Sequence, residues 1–152
     1  MLNWQCLTFG ELTTTQLYTL VQARINVFVV EQNCPYSELD DKDTQACVRH
    51  LLGYENGDIV AYARLLPPGL SYPSVSIGRV LTTSQCRGSG QGYTLIEKAL
   101  AYCAEYWPEQ NIEIGAQEHL AGFYGKFGFT PTSTMYLEDG IPHIDMKLTR
   151  QK

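Results

Sequence analysis

A chain of 152 residues with 44% hydrophobic and 18% charged side chains is long enough to bury one sizeable core and short for two domains. Its 11 basic and 16 acidic residues give a net charge of −5, against the basic excess with which duplex nucleic-acid binders displace counterions. The most apolar stretch, Val27 to Val30, is far short of a membrane span of about 20 residues, and Asn3, Gln5 and Glu11 interrupt any signal core.

Residues 3–9 read as a first strand. Thr13-x-x-Gln16 has the form of a capping box, and Leu17, Leu20, Val21, Arg24, Val27 and Phe28 then recur at helical spacing. Arg24 within this apolar stripe reads either as a buried arginine paired to a carboxylate or as a substrate contact. Residues 32–46 are loop-like and carry an acidic run, Glu38, Asp40, Asp41 and Asp43. That run reads as a solvated loop or as a rim that attracts a cationic amine; without the glycine and glutamate of an EF-hand it is not a calcium loop.

Strands are expected at 47–55 and 58–66, joined by the hairpin signal Asn56-Gly57, with Pro67-Pro68-Gly69 breaking the second. Another follows at 74–81, where Gly78 suggests a bulge or a close backbone approach. A helix runs from about Ser89 to Trp107, closed by Pro108. A strand at 111–115, a helix at 117–126 and two strands at 133–138 and 143–149 complete the chain. The five cysteines, odd in number and without a Cys-x-x-Cys pair, suit reduced thiols in a cytoplasmic protein, and the three histidines are too scattered for a metal site. Strands first and strand–helix alternation afterwards imply a single mixed α/β (α+β) domain around one sheet.

The most informative segment is Arg87-Gly88-Ser89-Gly90-Gln91-Gly92, between a strand and a helix. Its glycines free consecutive N–H groups, and the helix adds its positive end, which together make a phosphate site. Tyr93 stands where a dinucleotide fingerprint needs glycine, and no lysine lies in 87–97 to complete a Walker loop.

The Arg-x-x-Gly-x-Gly loop after Ile77-Gly78-Arg79-Val80-Leu81, followed downstream by Phe123-Tyr124-Gly125-Lys126-Phe127-Gly128-Phe129, resembles the GCN5-related N-acetyltransferase (GNAT) family. Phe28-Val29-Val30-Glu31-Gln32-Asn33-Cys34-Pro35-Tyr36, Arg49-His50 and Asp139-Gly140-Ile141-Pro142-His143 are similar to its ElaA-type branch, so the resemblance covers nearly the whole chain. It implies a central sheet of about seven strands flanked by about four helices. It further implies that backbone N–H groups of Arg87, Gly88, Ser89, Gly90, Gln91 and Gly92 bind the pyrophosphate of acetyl-CoA. The pantetheine arm would pair with backbone near Val80 and Leu81, and a bulge near Gly78 and Arg79 would aim an N–H at the thioester carbonyl. Tyr124 would face the CoA sulfur, and Gln117 stands seven residues before it, where the family usually has asparagine.

The activity so implied is acetyl transfer from acetyl-CoA to a small-molecule or peptide amine by direct attack. Acceptor contacts are expected among Arg24, Glu31, His50 and Arg79. Many relatives place a glutamate on the fourth strand, but Ser76 to Val80 contains no acid. Glu31, His50, Glu113 and His119 are therefore the candidate bases. A homodimer is a family-level expectation. Two other readings stand beside this one. One is a non-catalytic acyl-CoA-binding module, favoured by the missing acid. The other is an acyl-homoserine-lactone synthase-like enzyme, favoured by Arg24, Phe28-Val29-Val30-Glu31 and the acidic loop.

Overall fold

The computed structural model describes residues 2–150 and arranges them as eight strands and three α-helices. β1 (Asn3–Thr8) pairs antiparallel with β2 (Arg49–Glu55), which turns at Asn56-Gly57 into β3 (Asp58–Leu66). Both turn residues have positive φ, 51° and 86°, the geometry of the tight hairpin that the Asn-Gly pair predicts. β3 pairs antiparallel with β4 (Val75–Thr82).

α1 (Thr14–Arg24) begins at the capping box, with the Gln16 N–H donating to Thr13 Oγ1 at 3.0 Å. The helical spacing read through Phe28 does not continue as α-helix after Arg24 but widens into a π-helix over Ile25–Glu31. α2 (Gln91–Tyr106) crosses from β4 to β5 (Ile112–Gln117), the connection a parallel strand pair requires. Between β5 and α3 (Ala121–Gly125) the chain makes a single 3-10 turn at Glu118–Leu120, so the helix expected over 117–126 is shorter than its pattern. The last segment forms β6 (Thr130–Pro131), β7 (Tyr136–Glu138) and β8 (Ile141–Leu148). β8 begins two residues earlier than expected because Asp139-Gly140, with φ of 51° and 80°, makes a two-residue turn.

The sheet order is β1-β2-β3-β4-β5-β8-β6, with β7 also on the outer edge of β8. Side chains alternate across it, so Leu51 and Ala63 face α2 while Leu52 and Tyr62 face α1. On the α2 side Leu95, Ile96, Ala99 and Cys103 pack against Val75, Ile77, Ile112 and Ile114. On the other side Leu20 and Val27 cover Leu52, Tyr62 and Leu81.

Two departures from regular pairing create the site. β4 and β5 are paired at only two positions, Val75 with Ile112 and Ser76 with Glu113, and then part, although β4 runs on to Thr82 and β5 to Gln117. In the β3–β4 register, Tyr62 lies opposite Leu81 and Arg64 opposite Gly78, so β4 carries one extra residue in this stretch. That is a β-bulge, and Arg79 within it has φ of 51°.

Candidate active site

The parting of β4 and β5 opens a cavity of about 660 Å³, lined by Gly78, Arg79, Val80 and Leu81 on one strand and by Ile114 to Gln117 on the other. Between residues 77 and 82 the β4 edge that faces β5 has no strand partner, so its backbone groups are available to an extended ligand. Val27 and Phe28, from the widened π-helical turns, close one side.

At one end of the cavity, Arg87 leads into the glycine loop. Gly88 and Gly90 have φ of 85° and 80°, and an added Cβ at either would meet nothing within 4 Å, so glycine serves the backbone twist there and relieves no crowding. Gly90 is the residue before α2 and supplies no side-chain cap, and Ser89 Oγ is turned back to the Cys86 carbonyl at 2.6 Å. The first N–H groups of this 16-residue helix therefore keep their donor capacity and positive end for an anion. The helix starts at Gln91, two residues after the expected Ser89, which leaves Arg87 to Gly90 as loop. Arg87 itself is engaged: Nε donates to the Thr82 carbonyl at 2.9 Å, and the guanidinium pairs with exposed Glu31 at 2.7 Å.

Tyr124, on α3, is buried and lines the same cavity. Burial alone pushes its phenol up to about 12. Gln117, the last residue of β5, also lines the cavity, and its Nε2 donates to Gln32 Oε1 at 3.3 Å.

Three carboxylates of the acidic run, Glu38, Asp40 and Asp43, are tied to arginines, while Asp41 is exposed. Arg24, with no exposed surface, donates to Glu38 Oε2 at 2.7 Å and Asp43 Oδ1 at 2.6 Å. Arg64 reaches Asp40 at 2.8 Å and Asp43 at 3.1 Å, while Arg79 reaches Glu38 at 2.8 Å. Three arginines thus neutralise three of the four carboxylates. Burial pushes the Asp40 carboxyl up, but hydrogen bonds and charge from Arg64 outweigh it and bring it down to about 2. Burial likewise opposes the ionised form of Asp43, yet Arg24 and Arg64 hold it below the usual carboxylate range.

Arg24 and His50, expected to touch the acceptor, are corrected by this arrangement. Both are fully buried and occupied by protein partners, so neither presents an atom to a ligand. His50 Nε2 lies 3.1 Å from the Asp43 carbonyl, which can only accept, so this nitrogen carries the proton and Nδ1 accepts from Tyr62 at 2.6 Å. Burial depresses the imidazole, keeping it neutral. Glu31 lies outside the main cavity, on a smaller one of about 290 Å³. Of the four expected acceptor contacts, Arg79 alone lines the main cavity. Among the other candidate bases, His119 lines it, whereas Glu113 stands opposite Lys147 in the β5–β8 register.

Sequence reasoning passed over the far wall. Tyr72 and Tyr136 line the cavity there, and their hydroxyls donate to the same oxygen, Asp145 Oδ1, at 3.0 and 2.6 Å. The signal that could have found them is Gly115, a lone glycine inside a strand. A Cβ at 115 would stand 3.0 Å from the Tyr72 hydroxyl and 3.1 Å from that of Tyr136.

A sequence-family model described as an acetyltransferase (GNAT) domain matches residues 16–150. The chain belongs to the GNAT acetyltransferase family. Within that family it is 47% identical over 146 residues to the ElaA protein of Escherichia coli K12, covering 96% of this chain and 95% of that one. The crystal structure of E. coli ElaA superposes with a TM-score of 0.92 at 46% identity, over 97% of this chain and 99% of the other. An acyl-CoA N-acyltransferase from Pseudomonas aeruginosa gives 0.94 at 42% identity, over 98% and 100% of the two chains. A CoA-dependent acyl-homoserine lactone synthase matches at a TM-score of 0.80 with 14% identity, covering all of this chain and 85% of its own, a likeness of fold alone. GNAT proteins use acyl-CoA as the cosubstrate, and family and fold together support an acyl-CoA N-acyltransferase.

Proposed function

We propose that this protein transfers acetyl from acetyl-CoA to a primary amine by direct attack. The observation that carries the reading is the parted β4–β5 pair: an unpaired strand edge, a bulged backbone and a buried phenol share one cavity with an uncapped helix end beside it.

On this reading the N–H groups from Arg87 to Gly92 hold the pyrophosphate, and backbone at Val80 and Leu81 pairs with the pantetheine arm. An N–H at the Gly78–Arg79 bulge donates to the thioester carbonyl as negative charge develops there, an effect worth a few kcal/mol in acyl transfer. The amine nitrogen bonds to the carbonyl carbon, the carbon–sulfur bond breaks, and CoA leaves with the sulfur electron pair. With the Tyr124 phenol near 12 and a thiol near 8.5, complete proton transfer to sulfur is uphill by about 5 kcal/mol. Tyr124 therefore acts through a hydrogen bond that strengthens as the sulfur departs. An ordinary alkyl ammonium must lose one proton before attack, which costs about 4.6 kcal/mol at pH 7. β4 carries no acid between Ser76 and Val80, so that proton, and the second one the nitrogen sheds as the amide forms, leave through the cavity lining, where His119 is the one of the four candidate bases, or through water. The unpaired cysteines suit a cytoplasmic location.

That missing acid favours a second reading, a module that binds acyl-CoA without turning it over. Both readings require the loop to bind the cofactor. Acetyl-CoA at about 100 times Kd should raise Tm by roughly 5–10 °C. Gly90→Glu, which places a carboxylate at the helix end, should abolish the rise while leaving a folded protein by circular dichroism. An undiminished rise in the variant contradicts the loop assignment, and no rise in the wild type contradicts both readings.

A further inference from the structure

We infer that His143 Nε2 takes the proton that the amine nitrogen sheds as the amide forms. The inference rests on the N-acyltransferase reading and names a base for it, a residue outside the four that the sequence suggests.

His143 lies near the start of β8 and lines the cavity. Its Nδ1 stands 2.8 Å from the Ile141 carbonyl, which can only accept, so Nδ1 carries the proton and Nε2 keeps the lone pair. The ring stacks on Tyr136, its partner in the β7–β8 register, at 6.0 Å between centroids. On the other side the register sets it opposite Gln117, the last residue of β5, from which the chain turns into α3 and Tyr124. The imidazole is thus flanked on both sides and held in one tautomer. Only 11% of the side chain is exposed, yet among the described residues Nε2 makes no hydrogen bond and is not one of the sealed unpaired atoms. The exposed part of the ring therefore includes the basic nitrogen, and Tyr136 and Glu138 beside it line the same cavity.

Glu138 supplies the countercharge, with Oε2 3.5 Å from Nε2. A carboxylate has no proton to offer the lone pair of the neutral ring, so this pair attracts only once Nε2 is protonated, the state the step creates. The other groups in the lining are engaged or loose. Burial pushes up the phenols of Tyr36, Tyr72, Tyr124 and Tyr136, which keeps them protonated at neutral pH. Asp40 is paired with Arg64, and the Cys34 thiol donates to the Asp139 carbonyl at 3.3 Å. His119 is exposed in the turn after β5, and no hydrogen bond among the described residues fixes its ring.

In the step itself, the amine nitrogen bonds to the thioester carbonyl carbon and becomes positively charged. One N–H bond breaks, its electron pair stays on nitrogen, and the proton bonds to Nε2, from which it passes to water. A free alkyl ammonium near 10.4 holds its proton too tightly for an imidazole, so the earlier deprotonation is not this residue's task. After attack, the electron-poor carbon acidifies the nitrogen and the transfer runs downhill.

The tautomer is tested without turnover. In the ligand-free wild type at pH 8, ¹⁵N-histidine spectra should show the His143 ring with its proton on Nδ1 and Nε2 bare; a ring protonated on Nε2 overturns the proposal. In His143→Gln, amine-dependent thiol release should fall by about 10²-fold, and in His143→Ala added imidazole should raise release at least tenfold. The rise in Tm with acetyl-CoA should persist in both variants, which separates lost chemistry from a lost fold. A loss under tenfold in His143→Gln, or a His143→Ala protein that imidazole leaves unrelieved, overturns the proposal. Should a variant fail to fold, the wild-type tautomer decides alone. Failure of the acyl-transfer reading registers differently, as a wild type that releases no thiol with any amine.

Discussion

The Tyr124 phenol stays protonated at neutral pH, because burial raises it to about 12, so it can donate to a departing sulfur and cannot serve as a base. Tyr124→Phe should lower thiol release by about 10²-fold, the scale of a lost transition-state donor, with the amine KM unchanged. Unchanged turnover would remove Tyr124 from the mechanism. Its place in the cavity was legible because Phe123 to Phe129 carries a local pattern, downstream of the glycine loop. The far wall was not, since Tyr72 and Tyr136 meet at Asp145, 73 and 9 residues away, and no local spacing joins them. Arg64 was hidden differently: an arginine within the buried run of β3 makes sense only once Asp40 and Asp43 are seen beside it.

Between elements, the 38–43 loop is fastened to α1, β3 and β4 by one arginine from each. Replacing Arg24 with methionine strands part of the charge of Glu38 and Asp43 in the interior, and should cost about 3 kcal/mol in urea unfolding. A change under about 0.5 kcal/mol contradicts a structural role for the pair. The titration of these groups also fixes the acid limb. His50 is depressed by burial, so it contributes stability that is present above about 6.5, its unfolded value, and is lost as pH falls below it. Asp40 and Asp43 are depressed by their arginines, so their contribution holds above about pH 4 and is lost as pH falls, toward about 2 for Asp40. Urea midpoints measured from pH 8 to pH 2 should therefore fall in two stages, the first below 6.5 and removed in His50→Gln. A flat profile from 8 to 4 contradicts the buried neutral histidine. Most elements were legible, Asn56-Gly57 and the α1 capping box most clearly, because local chemistry decides them. The π-helix after Arg24 was not, because its apolar spacing over Val27 and Phe28 fits an α-helix equally well.

For the whole molecule the deciding feature is the gap between β4 and β5, which neither strand encodes alone. β4 announced its bulge through Gly78, and the bulge falls beside it at Arg79. Beyond Ser76 and Glu113, β4 remains paired with β3 alone and β5 with β8 alone, a relation between distant segments that no local pattern records. The net −5 is unevenly spread: Glu38, Asp40 and Asp43 are neutralised by arginines, while Glu138 and Asp139 at the β7–β8 end line the cavity. The most direct measurement of the central claim is thiol release from acetyl-CoA across a panel of primary amines, with product followed by mass spectrometry. Saturable amine-dependent release, matched mole for mole by N-acetylated amine and strongest for cationic acceptors, is the predicted result. A protein whose Tm rises with acetyl-CoA but which releases no thiol with any amine in the panel would contradict it, and would instead support a binding module.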